Sequence, residues 1–279
     1  MRRWLDLAGN LLRIAGVAAL CAGILGAVYL MEKLPVAYTA EVIFAGTKAE
    51  ADCTLFISRG HCVVLDTGEE QDAAHILKLL KEKNIEKIDC MILTHQDKDH
   101  MGGAMQILDE FPVAQVIAPY YEKNKTAYDD LLYQMRRQDI PCLTLMRKRE
   151  FSFGELKFRI FPPMETHYQN SNDNSLAVLV QHGKVRMFFA GDAMQERMEE
   201  YLDYQIGSVN LYKVSWHGRD IAAQTPLIRE LNPEFAVVTA QKEEDATKTA
   251  LEEVSAKVFY TVGRNLYFQS DGKRLVAGH

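Results

Sequence analysis

Residues 94–103 of the chain read Thr-His-Gln-Asp-Lys-Asp-His-Met-Gly-Gly, and this stretch decides the predicted fold. It holds two histidines and two aspartates close together: His95, Asp97, Asp99 and His100. The preceding residues, 88–93, are apolar and partly β-branched, which predicts a buried strand. We therefore expect the four polar side chains on a tight loop at the carboxyl end of a strand, where open α/β sheets place their sites.

The residue types of this loop are typical of a metal site. Alternate positions can turn His95 and Asp97 to one side and Asp99 and His100 to another, so that one short segment serves two metal ions. Imidazole and carboxylate together suit zinc, manganese or iron, and no cysteine within the loop imposes zinc. A solvated loop or a helix cap would explain one histidine and one aspartate, but it explains two of each at this spacing poorly.

The pattern H-x-D-x-D-H-x-G-G resembles the metal-binding motif of the metallo-β-lactamase superfamily, which is usually H-x-H-x-D-H. The aspartate in place of the second histidine, followed by two glycines, is specifically similar to the hydrolase domain attached to ComEC, the DNA-uptake channel of bacterial competence. Four further segments resemble the other motifs of the superfamily and occur in the family's order: residues 63–68, 172–176, 188–192 and 213–218. The ordered set covers roughly residues 40–275 and is far more specific than any one of its members.

The resemblance implies a fold, a cofactor and a set of site residues. The fold is an αββα four-layer sandwich, and the cofactor is two divalent metal ions, Mn²⁺ or Zn²⁺. The implied metal ligands are His95, Asp97, Asp99, His100, Asp192 and His217. Among them, Asp99, Asp192 and His217 are the implied catalytic residues, with Asp192 as the carboxylate that bridges the two ions.

Two groups of residues are expected to play a weaker part. Asp66 ends an apolar run, and we expect it to hydrogen-bond the metal loop and orient its ligands rather than to bind metal itself. Asn172, Asn174 and Ser175 lie where other members of the superfamily supply a third histidine, and they are weak ligand candidates.

The chain departs from the superfamily pattern in ways that bear on the metal. Trp216 replaces the first histidine of the usual His-His-Gly, which leaves His217 as the ligand there, and Arg219 stands where a serine is usual. The segment 172–175 offers no histidine. Because amide and carboxylate oxygens are hard ligands, these departures favour manganese over tight zinc binding.

Composition and charge agree with one globular α/β domain. The chain has 279 residues and a formal net charge of −6, which argues against the extended basic surface of nonspecific nucleic-acid binders but does not exclude a local one. Antiparallel strands mixed with β-α units predict two sheets packed face to face and covered by helices. Cys53, Cys62, Cys90 and Cys142 fall in predicted strands, either as disulfides or as buried free thiols.

The N-terminus is expected to be a membrane anchor. Residues 14–31 form an uncharged segment, and Arg2, Arg3 and Arg13 precede it. Its length is at the short end of what a helix needs to cross a bilayer. The positive-inside rule then places the large domain outside the cell. We expect residues 1–35 to be an uncleaved single-pass signal anchor and residues 36–279 to be the hydrolase domain; a cleaved signal peptide is the alternative.

Function follows from the resemblance and from what the sequence lacks. No G-x-S-x-G nucleophile motif is present, so the expected enzyme is a metal-dependent hydrolase. The resemblance implies a phosphodiesterase or nuclease that acts on DNA or a small phosphodiester. No obligate protein partner is expected. The alternatives are a surface phosphoesterase, another ester or lactone hydrolase of the superfamily, and a catalytically silent metal-binding sensor domain.

Overall fold

The computed structural model describes residues 37–278, and residues 38–278 group as one compact unit. The predicted anchor, residues 1–35, lies outside the described residues. Among residues 37–278, every helix is too short or too polar to span a bilayer.

Fifteen strands make up the two sheets of the fold. In chain order they are β1 (Ala40–Phe44), β2 (Thr54–Ser58), β3 (His61–Leu65), β4 (Cys90–Ile92), β5 (Val116–Pro119), β6 (Cys142–Leu145), β7 (Arg149–Phe153), β8 (Leu156–Phe161), β9 (Ala177–His182), β10 (Val185–Phe189), β11 (Leu211–Lys213), β12 (Phe235–Val238), β13 (Lys257–Tyr260), β14 (Leu266–Ser270) and β15 (Leu275–Ala277). The first sheet has the order β15-β14-β1-β2-β3-β4-β5-β6, and the second has the order β13-β12-β11-β10-β9-β8-β7.

Within the described residues, seven α-helices and three 3₁₀ turns connect the strands. The helices are α1 (Ala73–Glu82), α2 (Lys98–Met101), α3 (Ala104–Glu110), α4 (Thr126–Arg137), α5 (Gln195–Asp203), α6 (Gln224–Leu231) and α7 (Asp245–Glu253). The 3₁₀ turns are Glu70–Asp72, Ser171–Asn174 and Ser215–Gly218.

Three hydrophobic cores give the four-layer order of helices, sheet, sheet and helices. The central core lies between the two sheets, where Phe56 of the first sheet packs edge-on against Phe158 and Phe189 of the second, with ring centroids 5.2 and 5.1 Å apart. A second core joins the outer face of the first sheet to α1, α3 and α4. The third joins the outer face of the second sheet to α5, α6 and α7. This is the metallo-β-lactamase-type sandwich that the resemblance implies.

Each sheet is antiparallel in one half and parallel in the other. The pairs β3–β4, β4–β5 and β5–β6 are parallel in the first sheet, as are β10–β11, β11–β12 and β12–β13 in the second. Parallel strands end at the same edge of a sheet, so the segments that follow β3, β4, β10, β11 and β12 gather at one edge of the sandwich.

The turns at the opposite edge join the two sheets. Glu155, in the turn between β7 and β8, accepts a hydrogen bond from Nε of Arg59 at 2.9 Å and lies 3.1 Å from Nε2 of His182. Thr39 also donates its hydroxyl proton to Glu155. Because Thr39 and Arg59 adjoin strands of the first sheet, whereas Glu155 and His182 lie in the β7–β8 turn and at the end of β9 in the second, these contacts tie the sheets together.

Two local features differ from the sequence prediction, and a third decides between two alternatives that the sequence left open. The strands β7 and β15 are not predicted by hydrophobic alternation, since both are short and partly exposed at a sheet edge. Residues 98–101 form a helical turn rather than a loop, with Asp97 at its N-terminal cap position. The cysteines at positions 53, 62, 90 and 142 are free thiols.

Candidate metal centre

The first motif supports the metal loop through Asp66. This aspartate follows β3 with φ of 58°, a left-handed conformation that turns its carboxylate toward the end of β4. Its Oδ1 accepts the backbone N–H of Thr94 and its Oδ2 accepts the hydroxyl of Thr94, both at 2.7 Å. Oδ2 also lies 2.8 Å from Nδ1 of His100. Asp66 therefore touches the loop and one of its histidines, which is the orienting position expected from the sequence.

Backbone hydrogen bonds join three loops around the site. The N–H of Thr67 donates to the carbonyl of His100 at 2.6 Å, and the N–H of Asp52 donates to the carbonyl of Asp99 at 3.0 Å. Gly102 and Gly103 allow this approach, because a Cβ on Gly102 would run into the backbone of Glu70 as well as that of Lys98, and a Cβ on Gly103 would run into the backbone of Thr67. The double glycine of the motif is thus required by close packing of loop against loop.

The second sheet contributes Asp192 and His217. Asp192 follows Gly191, whose φ of 59° makes a sharp turn after β10, and its backbone N–H donates to Oγ of Ser175 at 3.1 Å. His217 lies in the turn after β11 with φ of 55°, and its neighbour Trp216 has φ of 45°. Two consecutive left-handed residues without glycine are strained, and such strain concentrates at functional sites.

Four side chains from the two sheets converge on one point. Nε2 of His217 lies 3.0 Å from Oδ2 of Asp192 and 3.2 Å from Oδ2 of Asp99, while Nε2 of His100 lies 3.2 Å from Oδ1 of Asp192. One possible ligand atom from each of the four lies within 4.8 Å of all the others. His100, Asp192 and His217 are buried, and Asp99 is partly exposed. Two imidazoles and two carboxylates at this spacing form a ligand set for a divalent ion.

The histidines are held in the orientation that metal binding needs. Nδ1 of His95 lies 3.1 Å from the hydroxyl oxygen of Thr94, and Nδ1 of His217 lies 2.9 Å from the hydroxyl oxygen of Thr239. Nδ1 of His100 faces Asp66, as described above. In the part of the chain that the structure describes, the buried Nε2 of His95 has no hydrogen-bond partner, and the buried Nε2 of His100 has only the carboxylate of Asp192 nearby, at 3.2 Å and without hydrogen-bond geometry. A buried nitrogen left without a partner is costly unless a ligand occupies it, so these residues fit a metal ion.

The charges of the four converging side chains depend on one another. Burial disfavours the charged form of Asp192, but His217, His100 and Lys213 outweigh it and hold its pKa well below the usual range. Burial likewise opposes protonation of His217, yet the carboxylate of Asp192 raises its pKa to about 9. Burial, reinforced by His100, lowers the pKa of His95 to about 3. His95 is therefore neutral, with Nε2 available as a ligand.

His95 and Asp97, the other two predicted ligands, lie beside this group of four. Nε2 of His95 is 4.0 Å from Oδ1 of Asp97, and the same oxygen accepts a hydrogen bond from Nζ of Lys125 at 2.5 Å. Neither residue belongs to the group of four or to the second set of buried side chains that could hold an ion, which consists of Asp52, Asp66 and His100.

The three weak candidates make other contacts in the structure. The hydroxyl of Ser175 is taken by the backbone of Asp192, and the side-chain amide of Asn174 donates to the carbonyl of Ser171 at 2.9 Å. Asn172 lines the cleft above Asp192 without a side-chain hydrogen bond among the described residues. The segment thus supports the turn at Asp192, and Asn172 is its one member that faces the cleft.

Sequence patterns miss two charged residues beneath the site. The buried ammonium of Lys213 contacts Oδ2 of Asp52, lies 3.3 Å from Oδ1 of Asp192 and donates to the carbonyl of Gly191 at 3.1 Å. Oδ1 of Asp52 lies 3.6 Å from Nδ1 of His217. A lysine inside an apolar strand is the signal that could have revealed this pair, because a buried lysine almost always has a partner.

An open cleft of about 380 Å³ gives access to the site. Its floor includes Asp97, Asp99, Asp192 and His217. Arg219, which lies over the Trp216 ring at 5.2 Å and pairs with Glu50, forms part of its rim.

The arrangement agrees with comparisons with known proteins. The family model described as the metallo-beta-lactamase superfamily matches residues 46–279. Among curated proteins, the chain is similar to "Recombination protein 2" of Haemophilus influenzae, with 25% identity over 192 residues, which cover 67% of this chain and 22% of that protein. It is also similar to "ComE operon protein 3" of Bacillus subtilis, with 24% identity over 168 residues, which cover 60% of this chain and 22% of that protein.

These two relatives are consistent with the ComEC-like motif of the loop. The chain spans 22% of the length of each. Among solved structures, the metallo-beta-lactamase fold protein YhfI from Bacillus subtilis superposes with a TM-score of 0.57 and 12% identity, covering 83% of this chain and all of that one. That likeness concerns the fold alone.

Proposed function

Because this chain belongs to the metallo-β-lactamase superfamily, whose members are generally metal-dependent hydrolases, we propose that it is a metal-dependent phosphodiesterase. The observation that carries the proposal is the convergence of Asp99, His100, Asp192 and His217 at the floor of an open cleft. The superfamily includes several reaction types, so the choice of phosphodiesters rests on the ligand chemistry and on the competence-related resemblance.

Oxygen-rich ligands support the choice of both metal and substrate. Asp97 replaces an imidazole of the common motif, and Asn172 faces the cleft where other members supply another. Hard oxygen ligands favour Mn²⁺ over Zn²⁺. When bound, the metal would supply Lewis acidity, lowering the pKa of water and drawing negative charge from phosphate oxygens.

The protein's own residues prepare the site for this chemistry. Asp66 accepts a hydrogen bond from Nδ1 of His100, which leaves the lone pair of Nε2 to face the ion. Asp192 and Asp99 supply anionic oxygens on either side of His217. Lys98 and Arg219 on the rim of the cleft would attract a phosphodiester, which carries one negative charge.

Turnover of model substrates tests the proposal. The purified full-length protein, loaded with Mn²⁺ or Zn²⁺, is assayed with bis-p-nitrophenyl phosphate, single- and double-stranded DNA, a lactone and a carboxylic ester. We expect phosphodiester cleavage that is faster with Mn²⁺. Hydrolysis of the lactone or ester alone would place the protein in another branch of the superfamily. Metal binding without any turnover would favour the alternative of a catalytically silent sensor domain.

Attachment to the cell membrane is a separate part of the proposal. It rests on the uncharged residues 14–31 behind Arg2, Arg3 and Arg13, with the catalytic domain outside the cytoplasm. Protease added to intact spheroplasts should digest the domain and leave a membrane-bound fragment. Full protection of the domain, or its release as a soluble secreted form, would contradict the orientation or the anchoring respectively.

A further inference from the structure

Lys125 lies at the second half of the site, by which we mean His95 and Asp97, the two predicted ligands beside the group of four. Its ammonium donates to Oδ1 of Asp97 at 2.5 Å, and the same oxygen lies 4.0 Å from the free Nε2 of His95. An ion held between Nε2 of His95 and the carboxylate of Asp97 would lie close to the ammonium of Lys125. The two positive charges would repel each other and would compete for the negative charge of Asp97.

The metal loop itself positions Lys125. Gln96, the residue between His95 and Asp97, is 4% exposed, and its Oε1 accepts the backbone N–H of Lys125 at 2.7 Å. Its Nε2 donates to Oδ1 of Asn124 at 3.2 Å. A buried amide that uses both of its ends to hold one neighbouring segment is a built contact rather than a chance surface pair.

The second half of the site has few ligands to offer an ion. The hydroxyl of Ser175 is engaged by the backbone of Asp192, and the segment 172–174 has no histidine, so His95 and Asp97 have only side-chain amide oxygens and a share of Asp192 to add. One oxygen of Asp192 already lies beside the ammonium of Lys213. A divalent ion with so incomplete a set binds weakly.

Charge repulsion also disfavours the binding of a second divalent ion. Two divalent ions about 4 Å apart repel each other with double the energy of one divalent ion and one ammonium at that separation. An ammonium beside Asp97 therefore supplies positive charge at less electrostatic cost than a second ion.

We propose that Lys125 takes the place of the second metal ion, so that the protein works with one divalent ion and one ammonium group. This inference rests on the proposed function, because it concerns how the same cleft would hold a phosphodiester. Asp97 lines both the cleft of the four ligands and the neighbouring cavity that contains Lys125. A phosphate above Asp97 would then meet the ion on one side and the ammonium on the other.

Metal stoichiometry tests this inference without reference to turnover. Mn²⁺ binding to the full-length protein is measured by isothermal titration calorimetry and by metal analysis after equilibrium dialysis. We expect one ion per chain in the wild type and in Lys125→Arg, which keeps the charge. We expect a second, weaker ion in Lys125→Ala, and its loss in the double variant Lys125→Ala with His95→Ala.

Lys123→Ala is the matched control, because Lys123 is a neighbouring exposed lysine without an ion pair among the described residues. It should bind one ion. Two ions in the wild type, or a single ion in Lys125→Ala, would overturn the inference. Each result is a count of bound ions and does not depend on turnover. A failure to cleave phosphodiesters would therefore refute the proposed function, while the ion count would still show whether Lys125 replaces the second ion.

Discussion

The ammonium nitrogen of Lys213 lies 3.3 Å from Oδ1 of Asp192, and both side chains are 3% exposed. A buried charge pair of this kind is strongly destabilised when one partner is removed, because the other charge is left without compensation. The pair therefore couples the stability of the fold to the carboxylate at the centre of the candidate site.

Replacing Lys213 with methionine should destabilise the metal-free protein by about 3 kcal/mol. Methionine fills a similar volume but removes the ammonium that contacts the carboxylates of both Asp52 and Asp192. Urea unfolding of metal-free protein measures the loss. Saturating Mn²⁺ should reduce it, since the ion restores positive charge beside Asp192. Lys242→Met, at an exposed lysine, should change the unfolding midpoint little, and an equal effect of both substitutions would contradict the buried-pair argument.

Replacing Asp192 with asparagine should abolish turnover and weaken Mn²⁺ binding by at least about tenfold, corresponding to about 1.4 kcal/mol. The change removes a charge from the point where His100 and His217 meet, at almost constant volume. Calorimetric titration and the phosphodiester assay measure the two effects. Asp203→Asn, at an exposed aspartate of α5, is the control and should bind Mn²⁺ like the wild type. A wild-type rate in folded Asp192→Asn would refute a role for this carboxylate in binding the ion.

Replacing Asp66 with asparagine should weaken metal binding by about 10–100-fold, although we do not expect Asp66 to touch the ion. An amide has only one oxygen, so it cannot accept hydrogen bonds from the Thr94 backbone, the Thr94 hydroxyl and His100 together. The imidazole of His100 then loses its fixed orientation. The control is Asp89→Asn, which alters another buried aspartate whose partners are Cys62 and His61. It should lower stability without changing metal affinity. Equal metal affinities in the wild type and Asp66→Asn would remove the orienting role.

Replacing Glu155 with glutamine should change how stability depends on acid. Hydrogen bonds from Thr39, Arg59 and His182 lower the pKa of Glu155 to about 2. A carboxyl whose pKa is lowered by folding adds stability above its unfolded pKa, and this contribution disappears as the pH falls through the folded pKa. The difference in urea midpoint between the wild type and the variant should therefore be constant above about pH 5 and shrink between about pH 4.5 and 2. A difference that grows on acidification would contradict the assignment.

The metal loop could be predicted from sequence because its information is local. His95, Asp97, Asp99 and His100 lie on one segment, and the apolar residues 88–93 before them identify the strand that carries them. The distant partners Asp192 and His217 required the ordered motif set, since spacing along the chain does not reveal that β10 and β11 end opposite β4.

Contacts between distant segments could not be predicted in this way. Asp52 and Lys213 meet only because the two sheets face each other. The local sequence around either residue does not predict this contact. Lys125 reaches Asp97 through a connection whose path depends on the buried amide of Gln96. The edge strands β7 and β15 escape prediction because exposed edges do not need the apolar alternation that marks buried strands.

The close packing at Gly102 and Gly103 has a kinetic consequence. The loops that carry Asp52, Thr67 and His100 are joined by backbone hydrogen bonds that involve no metal ligand atom. A centre framed in this way is preorganised, so that capturing an ion requires little ordering of the chain. Removal of the ion by a chelator would then leave these loops folded, and the protein could exchange metal with its surroundings without refolding. Its occupancy would follow the supply of free ion outside the protein rather than the history of its folding.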